Sequence, residues 1–340
     1  MILKPSSLGD VIQALPVLRL LKKHFPESQI FWWLDAGLTS LLDEDPDLAG
    51  LIPFPRERWR SMRYWPEAWR SLRRIRAENF DLVIDLQGLF RSGLVAWLAN
   101  GKLTVGLDDR REGARGFYDI VVPRPSYYTH AVEWYLATLR SLDVPVHQDF
   151  EWLPTRPAVA REVQERWKTA SARWLVLQPG ARWLNKRWPV EHYCELVRLL
   201  VKAQPDFRFA ILGSQADAAL GATIASVSPH RCLDLTGRLT LAQMIEWVRL
   251  AEVMVSNDTG PMHAAAALRK PVIALFGPTE PRRTGPWGES ENVLQAQLPC
   301  IPCLKDYCTF ERPLECLRLL SPWMVFARLQ QQLARTSQTS

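Results

Sequence analysis

The stretch that most constrains this chain lies in its second half, where an apolar segment runs into a polar turn and then into small residues. Residues 251–255 (AEVMV) are apolar and valine-rich, as expected for a buried strand. The side chains at 256–258 (SND) can cap a helix, Pro261 suits a first helical turn, and alanines follow at 264–267. This order predicts strand, tight turn and helix. Such a turn is either an ordinary capped helix or an anion site, because a helix N-terminus presents unpaired N–H groups.

A second segment of the same kind follows directly. Residues 270–276 (KPVIALF) predict another buried strand, and residues 277–281 (GPTEP) predict its turn. Because the carboxyl ends of neighbouring parallel strands meet at one edge of a sheet, the two turns are expected to form a crevice. Gly260 in the first turn would let a ligand approach the backbone closely.

The two blocks resemble the signature of a known family. The residues SNDTGPMH at 256–263 and FGPTEP at 276–281 look like the paired motifs of glycosyltransferase family 9, the ADP-heptose:lipopolysaccharide heptosyltransferases. Further similar blocks at 6–10, 84–88 and 178–189 extend the resemblance over most of the chain. It implies an α/β protein of the GT-B type, with two Rossmann-like, doubly wound domains facing a central cleft.

The expected domain boundary lies in a proline-bearing connector at 145–157. Residues 1–155 would form an acceptor-binding domain and residues 156–340 a nucleotide-sugar-binding domain, whose last helix is expected to pack back on the first domain. The length of 340 residues, with 47% hydrophobic and 23% charged residues, suits two soluble α/β domains.

The net charge and the hydropathy pattern limit the classes of binding partner and the expected localisation. The net charge of +6 favours anionic partners such as phosphates, an acidic lipid surface or nucleic acid. The apolar start is interrupted by Lys4 and Asp10, so it is not a signal peptide, and the chain has no apolar run of transmembrane length. We therefore expect a cytoplasmic protein that is peripheral on the inner face of the inner membrane, with no nucleic-acid partner.

The N-terminus predicts a strand, a polar loop and a helix, with Asp10 at the helix mouth. From the residues alone, Asp10 is an N-terminal acid favoured by the helix dipole. The resemblance instead implies that Asp10 is the catalytic base, with Ser7 and Gly9 in the acceptor site.

The segment after residue 80 predicts a strand that ends in DLQG, followed by a helix. The resemblance places Gln87 and Arg91 in the acceptor site. Arg111, in an Arg-Glu pair, would bind an acidic group of the acceptor.

The second domain is expected to open with a strand at 174–178 and a loop at 179–189. Pro-Gly followed by basic residues at a strand end suits phosphate. The resemblance makes Lys186 a diphosphate ligand with a catalytic role, and places Asp217 near the ribose or sugar. The full set expected to bind the donor is Ala181, Arg182, Lys186, Asp217, Leu239, Asp258, Thr259, Gly260 and His263.

Two other segments of the sequence have more than one interpretation. The acidic turn at 43–47 contains two D-x-D patterns, and we interpret it as a solvated loop rather than a metal site. The segment 56–76, here called the Arg/Trp segment, carries eight arginines and three tryptophans. It is a solvated helix whose arginine stems cover the tryptophans, a surface for anionic glycolipid or membrane, or a nucleic-acid surface.

The chain contains six cysteines. Cys194 and Cys232 are expected in the core. Cys300, Cys303, Cys308 and Cys316 contain one C-x-x-C pair and either hold a structural metal or are reduced or disulfide-linked thiols.

The function expected from the resemblance is inverting transfer of a heptose from ADP-heptose to Kdo or heptose of the lipopolysaccharide inner core. No cofactor and no essential divalent metal are expected. The alternative is a catalytically inactive GT-B domain that binds anionic glycolipid or membrane. A nicotinamide oxidoreductase is disfavoured, because G-x-G-x-x-G is absent after the first strand.

Overall fold

The computed structural model describes residues 1–59, 61–110 and 112–339. The chain divides into two compact units, 1–154 and 155–340, at a point inside the proline-bearing connector. Each unit has its own parallel sheet and its own apolar core.

The described residues of the first unit form six strands and six α-helices. Its strands are β1 (Ile2–Leu3), β2 (Phe31–Asp35), β3 (Gly50–Phe54), β4 (Leu82–Asp85), β5 (Leu103–Asp108) and β6 (Ile120–Pro123). Its helices are α1 (Leu8–His24), α2 (Thr39–Leu42), α3 (Arg56–Trp59), α4 (Trp65–Ala77), α5 (Phe90–Leu98) and α6 (Ala131–Arg140).

The sheet of the first unit is parallel, with the order β3-β2-β1-β4-β5-β6. Strand β1 is central, and Ile2 lies between Trp32 of β2 and Ile84 of β4. Helices α1 and α6 pack together, and α4 and α5 contribute Ile75 and Ala96 to a core cluster with the sheet. Strands β1, β4 and β5 are buried along most of their length, as is typical of a sheet covered by helices on both faces.

The second unit repeats this plan. Its strands are β7 (Arg173–Gln178), β8 (Phe207–Ile211), β9 (Cys232–Asp234), β10 (Val253–Asn257), β11 (Val272–Phe276) and β12 (Val293–Gln295). Its helices are α7 (Pro157–Trp167), α8 (Val190–Ala203), α9 (Ala218–Ala225), α10 (Leu241–Leu250), α11 (Gly260–Ala267), α12 (Pro281–Thr284), α13 (Glu315–Arg318) and α14 (Pro322–Thr339).

The second sheet is also parallel, in the order β12-β11-β10-β7-β8-β9. Helix α14 packs on α8 and on β10 and β11. Its apolar residues Val325, Leu329 and Leu333 recur every four positions, so they form one helix face in the core of this unit. The expected packing of this helix on the first domain stays a prediction.

Two interpretations of the sequence need correction. The acidic turn is not simply solvated, because Asp45 is buried and forms a bidentate ion pair with Arg19 of α1 at 2.6 Å, with Asp47 as a second partner. Buried carboxylates need such a partner, which replaces the lost water. In the Arg/Trp segment, the Arg73 guanidinium lies 5.5 Å from the centroid of the Trp69 ring, but Trp65 and Trp69 remain 58% and 51% exposed, so arginines cover them only in part.

The structure also tests the expectations for the two core cysteines and for membrane-spanning helices. Cys194 is buried, and Cys232 packs against the same core cluster. Among the helices in the described ranges, none has both the length and the apolar character needed to span a membrane.

Candidate active site

Both sheets reverse their strand order next to their first strand, and most of the predicted site residues follow the strands at these two points. In the first unit the reversal lies between β1 and β4, and in the second unit between β7 and β10. Ligands of open parallel sheets bind beyond the carboxyl ends of the strands at such a switch point. The loops that follow these four strands are therefore where each site is expected.

Asp10 closes the first turn of α1. Its Oδ2 accepts hydrogen bonds from the Ser7 N–H at 2.9 Å and from the Ser7 hydroxyl at 2.6 Å. Ser7 is the N-cap residue, and Gly9 lies buried in the same turn. The dipole interpretation of Asp10 is thus consistent with its place in a capping box. The other oxygen, Oδ1, lies 3.5 Å from the hydroxyl of Tyr135.

Lys4 connects the loops after β1 and β4. Its buried ammonium donates to the Leu86 carbonyl at 2.9 Å and lies 4.7 Å from the centroid of the Tyr135 ring. Burial, and then the negative charge of Asp10, raise the pKa of Tyr135 well above its ordinary value. Tyr135 therefore stays a neutral phenol, which can donate to Asp10.

Asp85 organises the loop after β4. Its Oδ1 accepts from the N–H groups of Gln87 and Gly88 at 2.8 and 3.2 Å, and its Oδ2 accepts from the Tyr118 hydroxyl at 2.7 Å. Burial raises the pKa of Asp85. Gly88 has a φ of +69°, and a Cβ there would lie 2.7 Å from the Leu107 carbonyl. This loop geometry therefore requires both Asp85 and a glycine.

The predicted acceptor residues of this region differ in setting. The Oε1 of Gln87 is buried and has no hydrogen-bond partner among the described residues. Arg91 is exposed in the first turn of α5. Arg111 lies outside the described residues.

Lys186 and Asp258 meet at the switch point of the second unit. Lys186 Nζ donates to Asp258 Oδ2 at 2.6 Å, and the Thr279 hydroxyl donates to the same oxygen at 2.6 Å. The Lys186 ammonium also lies 4.7 Å from the centroid of the Trp183 ring. The loops after β7, β10 and β11 thus converge on one carboxylate.

Asn257 fastens the loop after β7 to β10. Its Nδ2 donates to the Pro179 carbonyl at 2.7 Å, and its Oδ1 accepts from the Trp188 N–H at 3.1 Å. Because these bonds use the side chain, Asn257 does not cap the next helix. The N-cap residue of α11 is Thr259, which corrects the expectation of a cap at 256–258.

Helix α11 begins at Gly260, and Pro261 lies in its first turn, as expected. His263 is buried one turn further on. Pro261 has no N–H and the Met262 N–H donates to the Thr259 carbonyl, so it is the positive end of the α11 dipole, next to Asp258 in the sequence, that is suited to an anionic ligand.

Asp217 is bound within the fold. Its Oδ2 accepts from the Ser214 N–H and hydroxyl at 2.9 and 2.7 Å, and Arg187 lies 3.1 Å from its Oδ1. Arg187 also donates to the Ala181 carbonyl at 2.9 Å. The role of Asp217 in binding the donor stays a prediction.

The remaining donor candidates are less tightly held. Arg182 is exposed in the loop after β7, and Leu239 is half-buried ahead of α10. Ala181 is buried, and its carbonyl is used by the arginine described above.

Sequence reasoning missed several residues of both switch points. They are Lys4, Asp85, Tyr118, Tyr135, Arg187, Asn257 and Thr279. Two signals were present: an aspartate two residues before Gln-Gly is typical of an Asx turn, and Arg187 follows Lys186 directly.

The chemistry of the two units is complementary. The first presents a carboxylate, that of Asp10, at a helix N-terminus, where a group able to accept a proton can lie beside a hydroxyl ligand. The second presents an ammonium and a helix N-terminus, an arrangement suited to an anionic ligand such as a diphosphate. With two Rossmann-like units, this defines the class of GT-B sugar-transfer enzymes.

Comparison with known proteins supports the assignment to the GT-B sugar-transfer enzymes. A family model described as glycosyltransferase family 9 (heptosyltransferase) matches residues 68–313. Lipopolysaccharide heptosyltransferase 1 of Pseudomonas aeruginosa is 33% identical, over 98% of this chain and 97% of that protein. The chain belongs to glycosyltransferase family 9, and it is an enzyme of the heptosyltransferase class.

Solved structures confirm the GT-B fold. Heptosyltransferase II of E. coli superposes with a TM-score of 0.79 at 23% identity, covering 99% of this chain and 98% of that one. E. coli heptosyltransferase WaaC, solved with ADP-2-deoxy-2-fluoro heptose, superposes with a TM-score of 0.75 at 26% identity, over 97% and 98% of the two chains.

Proposed function

We propose that this enzyme transfers heptose from ADP-heptose to a hydroxyl of the lipopolysaccharide inner core, with inversion at the anomeric carbon. The observation that carries the proposal is the convergence of Lys186, Asp258 and Thr279 beside the first turn of α11. WaaC, which has a similar fold, binds an ADP-heptose analogue. The similar Pseudomonas protein is named as a lipopolysaccharide heptosyltransferase.

The proposed reaction is a single in-line attack. Asp10 takes the proton of the acceptor hydroxyl as that oxygen bonds to the anomeric carbon, and the bond from this carbon to the diphosphate breaks. Tyr135 donates to the second oxygen of Asp10 and orients the carboxylate. Lys186 and the positive end of the α11 dipole stabilise the charge that develops on ADP.

No divalent metal is needed for this step in our proposal. Lys186 and the helix N-terminus supply the positive field that a metal supplies in other sugar-transfer sites. Asp258 is already bound to Lys186 and Thr279, so its carboxylate has protein partners.

We also propose that the enzyme acts at the inner face of the inner membrane. The support is the Arg/Trp segment, in which exposed Met62, Trp65 and Trp69 lie among arginines. Aromatic side chains enter the lipid interface and arginines attract anionic headgroups.

The test is direct. The full chain is incubated with ADP-heptose and either a Kdo-terminated or a heptose-terminated core acceptor, and ADP release and product mass are measured. We expect transfer to one of the two acceptors, with the opposite anomeric configuration by NMR, and about 10²–10⁴-fold slower transfer by Asp10→Asn. ADP binding without product from either acceptor would instead support the inactive binding domain.

A further inference from the structure

A glutamine that the proposed reaction does not use holds the loop after β11. Gln295 is the last residue of the edge strand β12, and it lies opposite Phe276, the last residue of β11. Its Nε2 donates to the Thr279 carbonyl at 2.7 Å and to the Gly277 carbonyl at 3.2 Å. Because carbonyl oxygens only accept hydrogen bonds, both contacts require the NH₂ group of the side chain. One carboxamide of the edge strand therefore fastens two carbonyls of this loop.

The composition of the loop limits its own hydrogen bonds. Pro278 and Pro281 have no N–H group, so the loop at 277–281 contains fewer backbone donors than carbonyls. The Leu304 N–H donates to the Pro278 carbonyl at 2.8 Å, and Gln295 binds the carbonyls on either side of it. This part of the loop is buried, so a carbonyl that lost its donor would not regain one from water. The conformation of the loop therefore depends on the glutamine.

The same loop carries a side chain of the candidate donor site. The Thr279 hydroxyl donates to Asp258 Oδ2 at 2.6 Å, and the Lys186 ammonium donates to the same oxygen at 2.6 Å. Thr279 and Asp258 are 9% and 6% exposed, so their contact is shielded from water. A threonine hydroxyl is attached to Cβ, and it therefore moves with the backbone. The carbonyl that Gln295 binds and the hydroxyl that Asp258 binds belong to one residue.

We propose that Gln295 is a positioning residue of the donor site, which acts through Thr279 on the Asp258–Lys186 pair. The role rests on the proposed function, in which Lys186 binds the diphosphate of the donor. Gln295 does not touch the donor itself. It fixes the loop after β11, so that the Thr279 hydroxyl keeps one oxygen of Asp258 in place. Such support matters because a misplacement of about 1 Å in an active site costs about 10²-fold in rate.

The first measurement is ADP binding by calorimetry. Gln295→Met keeps the length of the side chain but cannot donate, so two loop carbonyls lose their donor. We expect ADP to bind about tenfold more weakly, which corresponds to the loss of about one hydrogen bond. The matched control is Gln297→Met, which alters an exposed glutamine two positions further along and should bind ADP as the wild type does. Wild-type ADP affinity in Gln295→Met would overturn the proposal.

A double-mutant cycle tests whether Gln295 acts through Thr279. Thr279→Val is similar in shape and removes only the hydroxyl that donates to Asp258. In the Thr279→Val background, Gln295→Met should weaken ADP binding by less than about twofold, because the contact through which it acts is already lost. A glutamine with a merely structural role would cost the same affinity in both backgrounds. Additive losses are therefore the second result that would overturn the proposal.

The same cycle can be measured without a ligand. The losses in the urea unfolding midpoint caused by Gln295→Met and Thr279→Val should be less than additive, since both weaken one chain of contacts. If Gln295→Met does not fold, Gln295→Asn replaces it in both cycles. Asparagine keeps the NH₂ group but is shorter, so it should weaken ADP binding in the same direction. Wild-type ADP affinity in Gln295→Asn would then count against the proposal.

The two readouts separate this proposal from the proposed function. Additive urea midpoints together with normal ADP binding by the wild type would refute the positioning role and leave the donor site. A wild-type chain that does not bind ADP would refute the donor site, and the urea cycle would still show whether Gln295 and Thr279 are coupled. We expect ADP binding by the wild type and less than additive losses in both cycles.

Discussion

Asp10 combines a helix-capping contact with the proposed role of base, and the two can be separated by substitution. Asp10→Asn keeps an oxygen that can accept from Ser7 but cannot take a proton. Because general-base catalysis contributes about 10²–10⁴-fold, we expect kcat to fall by about that factor while ADP affinity changes little. Asp10→Ala should show the same loss of kcat. Initial rates and ADP titrations measure both quantities.

A second variant for comparison is Ser7→Ala, which removes the capping-box hydroxyl of an expected acceptor-site residue but keeps the Asp10 carboxylate. It should lower stability by about 1 kcal/mol, with a much smaller effect on kcat than Asp10→Asn. Near-normal kcat in Asp10→Asn would show that Asp10 only caps α1 and that another group takes the proton.

Lys186 is the cation closest to the candidate diphosphate turn. Lys186→Ala removes a charge-assisted partner, so ADP should bind more weakly, by about 1.5–3 kcal/mol or about 10–100-fold. Calorimetry of ADP binding gives the difference. Lys202→Ala, on an exposed position of α8, is the control and should bind as the wild type does. Equal ADP affinity in both variants would refute the assignment of Lys186.

Asp85 is a buried acid with a structural task. Asp85→Ala leaves the N–H groups of Gln87 and Gly88 and the Tyr118 hydroxyl without their partner, so we expect a loss of about 2–4 kcal/mol in unfolding free energy. Asp85→Asn retains the shape and one carbonyl oxygen, and should be much milder. Urea denaturation measures both losses.

The contribution of Asp85 to the unfolding free energy depends on pH because its pKa is raised. An acid whose folded-state pKa lies above the unfolded value stabilises most below the unfolded pKa, and this stability is lost as pH rises through the folded pKa. The unfolding free energy of Asp85→Asn should therefore increase relative to that of the wild type as pH rises above about 4. A constant difference between pH 4 and neutral would contradict the raised pKa.

At the scale of elements, α4 has two distinct faces. Leu72 and Ile75 pack on the core of the first unit, while Trp65, Trp69 and Arg73, spaced by four residues, lie on the exposed side. A helix with an apolar outer face flanked by arginines is suited to an anionic surface. The core-facing positions explain why the helix forms, and the outer face needs another explanation.

Charge reversal on α4 tests the membrane proposal. Changing Arg70, Arg73 and Arg74 together to glutamate should reduce binding to vesicles of anionic phospholipid, because each arginine near the surface contributes about 1 kcal/mol. Wild-type binding should fall steeply with salt and be weak on neutral vesicles. Vesicle sedimentation measures the bound fraction.

The control for α4 reverses exposed arginines of the second unit, Arg198 and Arg208. That variant should bind vesicles as the wild type does, and both variants should keep their unfolding transition. Salt-independent or absent binding of the wild type would leave α4 as a solvated helix.

For the whole molecule, ligand binding and stability are linked. ADP that binds only the folded chain should raise the unfolding free energy by about 2.7 kcal/mol at a hundredfold excess over its dissociation constant. Omitting Mg²⁺ and Mn²⁺ should change neither this effect nor the transfer rate, because protein groups carry the diphosphate charge. Thermal unfolding with ADP, compared with UDP and GDP, measures the effect. A strict Mg²⁺ requirement would contradict it.

The local patterns of the sequence were sufficient for the architecture. Valine-rich runs followed by polar turns and amphipathic segments predicted the alternation of strands and helices, and the motif at 256–263 predicted the helix that begins at Gly260. These features depend on neighbours within a few residues. They are therefore readable without the fold, and the family resemblance rests on the same local blocks.

The partners of the polar side chains were decided only by the tertiary structure. Lys186 and Asp258 are 72 positions apart, and Arg19 and Asp45 are 26 apart, so no local pattern specifies either pair. Lys186 and Asp258 meet because the second sheet reverses its order beside β7, which places the loops after β7 and β10 at one edge, whereas Arg19 and Asp45 meet where α1 contacts the connection between α2 and β3. The alternation of strand and helix patterns, together with the family resemblance, predicted two doubly wound units, and the tertiary structure determined which charges meet, since burial requires each charge to find a partner.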